Sequence, residues 1–210
     1  MNQATPVIRK GRKFDQVLAT ATTLFLQHGF EGVGVDEIAR QAGVSKATLY
    51  AYFPDKRHLF MEVARVECAL QADRLEAKID FDATVPEVLG VVGRGFMEII
   101  LSEFGRNIFR VCVSEGDRFP ELGKQFYESG PAVMRAGMID FLECGISRGE
   151  LVIDDVELAA DQFPELCKSG VFMKLITGVQ ATFDREEIDR TIDGAVATFM
   201  ARFGAPKADG

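Results

Sequence analysis

Two short helical segments meeting at a glycine constrain this chain more than any other feature. Residues 35–52 read VDEIARQAGVSKATLYAY. Ile38, Ala39 and Ala42 recur at helical spacing, which gives the first segment one apolar face. Gly43 then ends it, because a residue without Cβ enters a left-handed turn at little cost. Ser45 is placed to cap the next helix by accepting a backbone N–H from its first turn. That helix, 46–52, carries Lys46, Thr48, Tyr50 and Tyr52 on a face with no core to bury it. A cation, a hydroxyl and two phenols suit a major groove, where they meet phosphates and base edges, and the Ala47 methyl can touch a thymine methyl. The pattern predicts a helix-turn-helix whose Ser45, Lys46, Ala47, Thr48, Tyr50 and Tyr52 face duplex DNA.

The flanks extend this pattern. Upstream, Phe14, Val17, Leu18, Ala21, Leu24 and Phe25 form one stripe of a helix ending at His28-Gly29. Downstream, Pro54 ends the reading helix and Asp55 can cap a new one that begins with Lys56. Ala21, Leu24, Phe25, Gly29, Phe30, Val35, Ile38, Ala39, Ala42, Gly43, Val44, Ser45, Thr48, Leu49, Tyr50, Tyr52, Phe53, Lys56 and Leu59 together resemble the signature of the tetracycline-repressor (TetR) family of bacterial regulators. The resemblance covers the first quarter to third of the chain. It departs at Val33-Gly34, where the family often has a Thr-Ser type of pair, so the helix near Asp36 starts from a weaker cap. By this resemblance the tyrosines and Lys56 contact phosphates, and Lys56 lies at a helix start that itself favours an anion. A looser similarity, over residues 149–163, is to the carboxy-terminal domain of AefR-like members.

The net charge of −8 looks unfavourable for DNA until it is divided along the chain. Residues 1–60 hold eight basic and five acidic side chains, a balance of +3, which leaves −11 for the remainder. A basic head and an acidic body orient the molecule on a polyanion. Arg9, Lys10, Arg12 and Lys13 form a basic arm that can add phosphate or minor-groove contacts. The 47% hydrophobic content, with 17 Phe and no Trp, supplies a sizeable core. No run approaches the ~18 apolar residues of a membrane span, and the polar amino end lacks a signal-peptide pattern. These features predict a cytoplasmic protein. Cys68, Cys112, Cys144 and Cys167 are widely spaced with no paired histidines, so neither a metal nor another cofactor is expected.

Beyond Asp55 the periodicity is helical throughout, and the chain reads as all-α with about nine helices. We expect a helix-turn-helix domain over 1–55, a helical regulatory domain over 56–204 joined through a long helix at 56–79, and a polar tail at 205–210. Further helices are expected over 85–103, from 104 onward, over 120–148 with a break at Gly130-Pro131, over 156–178 and over 186–203. The last two carry long apolar stripes: Leu158, Ala159, Phe163, Leu166, Gly170 and Met173 in one, Ile188, Ile192, Ala195, Val196, Phe199 and Phe203 in the other. Packing within one subunit accounts for such stripes equally well. The resemblance implies that they pair with a second copy, and one short reading helix contacts too few bases for useful specificity, so a homodimer on a palindromic operator is expected.

The resemblance also implies a small-molecule effector in the body. Phe60, Phe96, Ile100, Phe104, Phe109, Cys112, Phe126, Tyr127, Met134, Met138, Phe141, Phe172 and Met173 are the candidates to line an apolar, adaptable pocket, although helical spacing is equally that of a packed core. Arg94, Asn107, Arg110 and Tyr127 are the polar candidates to orient a ligand. Its binding would release DNA if it favoured the non-binding conformation. Enzyme chemistry finds no support: His28 and His58 are the only histidines, and no nucleophile elbow or phosphate loop is present. His58 is expected to be solvated. Two alternatives remain, a redox-responsive regulator using Cys112 or Cys144, and an architectural DNA-binding protein without a ligand.

Overall fold

A computed structural model describes residues 11–80 and 82–206. Arg9 and Lys10 of the basic arm, Phe81, and 207–210 of the polar tail lie outside the described residues. The described residues form eleven helices: α1 (Arg12–His28), α2 (Val35–Gln41), α3 (Lys46–Tyr52), α4 (Lys56–Glu76), α5 (Val85–Leu101), α6 (Glu103–Glu115), α7 (Pro120–Ser129), α8 (Pro131–Ser147), α9 (Val156–Cys167), α10 (Phe172–Ile176) and α11 (Arg185–Phe203). The protein is all-α, with an amino-terminal helix-turn-helix and a helical carboxy-terminal part. Among the described residues the sole β feature is an isolated antiparallel bridge between Leu151 and Gly204.

The count exceeds the expected nine or so because 120–148 divides at the break expected at Gly130-Pro131 and 156–178, expected to be continuous, divides as well. Residues 120–148 split at Gly130, whose φ and ψ of −130° and −80° leave the helical region just before Pro131. The segment 156–178 splits at Gly170, which has a φ of +72° and separates α9 from α10. Local side chains explain several starts. Asp155 accepts the Leu158 N–H at 3.0 Å to open α9. Asp184 and Glu187 form a reciprocal capping box at α11, and Thr84 with Glu87 does the same at α5. Gly34 offers α2 no side-chain cap.

The chain divides into two compact units. The first comprises Met1–Glu67 and Asn107–Phe126, the second Cys68–Arg106 and Tyr127–Gly210. In the first, Val17, Ala21, Phe25, Ile38, Leu49, Leu59, Phe60 and Val63 are completely or almost completely buried. Phe25, Phe30 and Phe60 pack as an aromatic cluster with centroid separations of 5.0–6.2 Å. In the second, α5, α8, α9 and α11 share a core that includes Leu89, Met97, Leu142, Phe163, Ile192 and Phe199. Close approach explains one glycine there: a Cβ on Gly93 would lie 3.1–3.2 Å from Ile192 and Cys167.

Candidate nucleic-acid interface

The turn between α2 and α3 is built from backbone geometry that Gly43 alone permits cheaply. Its φ is +64°. The Val44 N–H reaches back to the Ala39 carbonyl at 3.0 Å and the Gly43 N–H to Arg40 at 3.3 Å, so the last carbonyls of α2 are satisfied as in a Schellman motif. The chain then re-enters a helix at Ser45, whose hydroxyl accepts the Thr48 N–H at 3.1 Å and lies 2.9 Å from the Thr48 hydroxyl oxygen. Leu49 is fully buried and anchors the inner face of α3. Phe53, directly after it, is buried and stacks on Phe14 at 5.1 Å.

With the inner face anchored, the outer face is left to solvent. Ser45, Lys46, Ala47 and Tyr50 are exposed, and Tyr50 retains 47% of its accessible surface. Thr48 is half-exposed. Tyr52 is held more firmly: its ring meets Phe14 edge-on at 5.7 Å and Phe53 at 6.5 Å, which fixes where its phenol emerges. Lys46 Nζ lies 2.6 Å from Asp36 Oδ1, in a pair whose side chains are 58% and 73% exposed. The hydrogen bond that the Lys46 ammonium donates to Asp36, then the Coulomb attraction of that carboxylate, raises the Lys46 pKa above its ordinary value. Arg12 and Lys13, from the basic arm, are exposed in the first turn of α1.

Lys56, expected to contact a phosphate, is engaged with the backbone of its own chain. Its ammonium donates to the Phe30 carbonyl at 2.9 Å and the Val33 carbonyl at 3.2 Å, and lies 4.1 Å from the centroid of the Phe30 ring. These carbonyls belong to the connection between α1 and α2, which no helical ladder satisfies. Lys56 therefore braces that connection from the start of α4. His58 also departs from the solvated position expected of it: its Nδ1 lies 3.0 Å from Asp55 Oδ1.

Sequence reasoning identified Asp55 as a cap but missed the network around it. The Asp55 carboxylate accepts the Arg57 and His58 backbone N–H groups at 2.9 and 3.1 Å. Arg57 donates to Asp55 through Nε and Nη2, and to Glu115 through Nη1 at 3.0 Å. Its guanidinium carbon also sits 3.5 Å from the Phe119 ring centroid. Burial would push the Asp55 carboxyl up, but the hydrogen bonds from Arg57 and His58 outweigh it and hold the group far below the usual carboxylate range. The Arg57–Glu115 pair spans 58 positions, so no local sequence signal could have disclosed it. Through this pair, α4 is tied to α6 within the first unit.

The expected ligand-lining residues are divided between the two units. Phe60, Phe109, Cys112 and Phe126 belong to the first, where Phe60 is fully buried in the aromatic cluster. Phe96, Ile100, Phe104, Tyr127, Met134, Met138, Phe141, Phe172 and Met173 belong to the second. Met138 is part of that unit's core, with Phe96 and Phe141 packed against it. Tyr127 and Met173 are instead 54% and 67% exposed. Of the polar candidates, Arg94 is engaged with Asp189 at 2.7 Å and Asp193 at 3.0 Å, Asn107 lies against Gly29, and Arg110 is exposed.

The expected dimer stripes also need correction. Phe163, Ile192, Phe199 and Phe203 are buried in their own subunit's core, because α9 turns one apolar side toward α5 and α8 and α11 turns one toward α5 and α9. Leu166, Ile188 and Val196 are half-buried at its margin. Leu158, Gly170 and Met173 are exposed. A shallow groove of about 510 Å³ runs between these helices, lined by Leu166, Gly170, Phe183, Gly194 and Ala195 among others.

Among the described residues no helix is long and apolar enough to cross a membrane. Cys144 is exposed and Cys167 buried, and burial pushes the Cys167 thiol up to about 12.

Comparisons with known proteins agree with this geometry. Residues 17–63 match the profile of bacterial regulatory proteins of the tetR family, and residues 87–205 match that of the AefR-like transcriptional repressor C-terminal domain. The HTH-type transcriptional regulator YdeS of Bacillus subtilis is 27% identical over 199 residues, which cover 90% of this chain and 96% of YdeS. The crystal structure of a TetR-family regulator from Mesorhizobium loti MAFF303099 superposes with a TM-score of 0.81 at 27% identity, covering 94% of this chain and 99% of the other. The flavonoid-responsive regulator FrrA gives a TM-score of 0.72 at 33% identity, covering 95% and 100% of the two chains.

Proposed function

Because the chain belongs to the TetR family of bacterial transcriptional regulators, and is not an enzyme, we propose that it acts in the cytoplasm as a repressor bound to a palindromic operator as a homodimer. In this reading α3 enters the major groove, with Ser45, Lys46, Ala47, Thr48, Tyr50 and Tyr52 as its contact residues. A small, largely apolar ligand held by the second unit releases it. The observation that carries the reading is the exposure of α3 around a fully buried Leu49: the helix is fixed in place while Ser45, Lys46, Ala47 and Tyr50 are left to solvent. Repression is supported by the description of the matching carboxy-terminal profile.

Dimerisation is supported by the solvent side of α9–α11. Gly194, Ala197, Thr198 and Ala201 are exposed along one face of α11, and small side chains allow another helix to approach closely. Leu166 and Gly170 line a groove together with Gly194 and Thr198 of that face. A seven-residue reading helix discriminates few base pairs, so two copies on a two-fold site at least double the information read.

An apolar effector is supported by the Phe and Met side chains on α5 and α8, and by the flavonoid responsiveness in the name of FrrA. Helix α4 contributes residues to both units, so a ligand that redirects it in the second acts on the first through one continuous helix.

Two measurements test the proposal. Light scattering at micromolar concentration should return twice the chain mass, and a monomeric mass counts against the dimer. Thr48→Ala and Ala47→Gly should change base preference at defined positions of a bound duplex. Preference unchanged by both would remove α3 from the groove.

A further inference from the structure

Lys46, on the helix read as facing DNA, is paired with a carboxylate, Asp36. Lys46 is the first residue of α3, and Asp36 lies in the first turn of α2. Both side chains are largely exposed, and their charged atoms approach to 2.6 Å. The other acid of that turn, Glu37, is directed along its own helix, accepting from Gln41 at 3.1 Å and lying 3.6 Å from Arg40. Asp36 thus reaches across the turn to the reading helix. An exposed ion pair contributes little to stability, because solvent screens both charges. A carboxylate beside a polyanion, moreover, opposes binding. The arrangement is costly for affinity and adds little to the fold.

Resting on the reading of α3 as the DNA-contacting helix, we propose that Asp36 is a positioning and specificity-determining residue that withholds Lys46 from sequence-independent phosphate contacts. On an arbitrary duplex, any phosphate must displace a carboxylate already seated on the ammonium. Only a site that engages the rest of α3 brings the groove close enough to draw Lys46 away. Asp36 therefore lowers non-specific affinity more than specific affinity, and the difference is discrimination. Lys46 is not immobilised by this pair but directed, since a flexible four-carbon side chain would otherwise sample any nearby phosphate.

The test uses the full-length protein and a fluorescently labelled duplex of random sequence, with dissociation constants measured between 50 and 200 mM salt. Asp36→Asn should bind this duplex more tightly than wild type at 50 mM salt. It should also steepen the log–log salt dependence by about 0.9, the contribution of one additional neutralised phosphate. Over that fourfold range of salt, its advantage should then shrink by about 3.5-fold. On a Lys46→Ala background, the same substitution should leave the slope unchanged. Thermal melting of Asp36→Asn should stay close to wild type, because the pair is exposed. An unchanged slope in the single variant, or an equal change with and without Lys46, would overturn the proposal while leaving the DNA reading intact. Failure of the wild-type protein to bind any duplex at low salt would instead overturn both.

Discussion

Replacing Lys56 with alanine separates two roles that a lysine at this position can play. In the structure its ammonium is donated to the Phe30 and Val33 carbonyls and lies over the Phe30 ring. Each charge-assisted hydrogen bond, discounted for partial exposure, is worth roughly 1 kcal/mol. The cation over the ring adds about 0.5–1 kcal/mol. The substitution should therefore destabilise the first unit by about 2–3 kcal/mol. At 1.36 kcal/mol per decade this accelerates the slowest amide exchange in α2 by about 30- to 150-fold. Hydrogen–deuterium exchange read by mass spectrometry over 29–44 gives this directly, and circular dichroism should show a lower melting temperature. Lys56→Met keeps the aliphatic stem and should reproduce most of the loss, because the carbonyls still lose their donor. A phosphate ligand would behave differently. If α2 exchange were unchanged while the salt slope of DNA binding fell by about one, the brace would be refuted and the role first inferred from the family resemblance restored.

Three further outcomes follow from the same geometry. Leu49→Ala removes a fully buried anchor and should cost about 2–5 kcal/mol, with binding to every duplex lost together, as equilibrium denaturation and a binding titration would show. Asp55 has its folded-state pKa depressed, so the stability it supplies is present above its unfolded value of about 3.9 and is lost as pH falls below that value toward the folded one. Asp55→Asn should consequently flatten the acid limb of melting temperature against pH, and an unchanged acid limb would remove the linkage. Alkylation of the folded protein at pH 8 should modify Cys144 and spare Cys167, whose thiol is buried and raised to about 12; equal labelling by mass spectrometry would contradict that burial.

The parts legible in the sequence are those governed by neighbours along the chain. Gly43 and Ser45 announce the turn and the cap because both act within three or four residues, and the structure places them as their chemistry requires. The start of α4 was legible for the same reason, through Asp55. Apolar stripes disclosed which residues are buried but not what buries them. Ile192 and Phe199 satisfy helical spacing whether they meet α5 of the same subunit or a second copy, and only the packed structure assigns them to the former. The direction of Lys56 was illegible because its partners, the Phe30 and Val33 carbonyls, are 26 and 23 residues away and identified only by an unsatisfied backbone. Arg57 and Glu115 were missed on the same principle, since tertiary proximity alone brings them together.

Selection of bound duplexes from a random-sequence pool tests the central claim most directly. If α3 of two copies reads DNA, the recovered sequences should converge on a two-fold symmetric site whose half-sites are spaced by about 10 base pairs or a multiple of a helical turn. The variant Tyr50→Ala should recover that site poorly. A pool that shows no enrichment, or a consensus unaffected by every change on α3, would contradict the account.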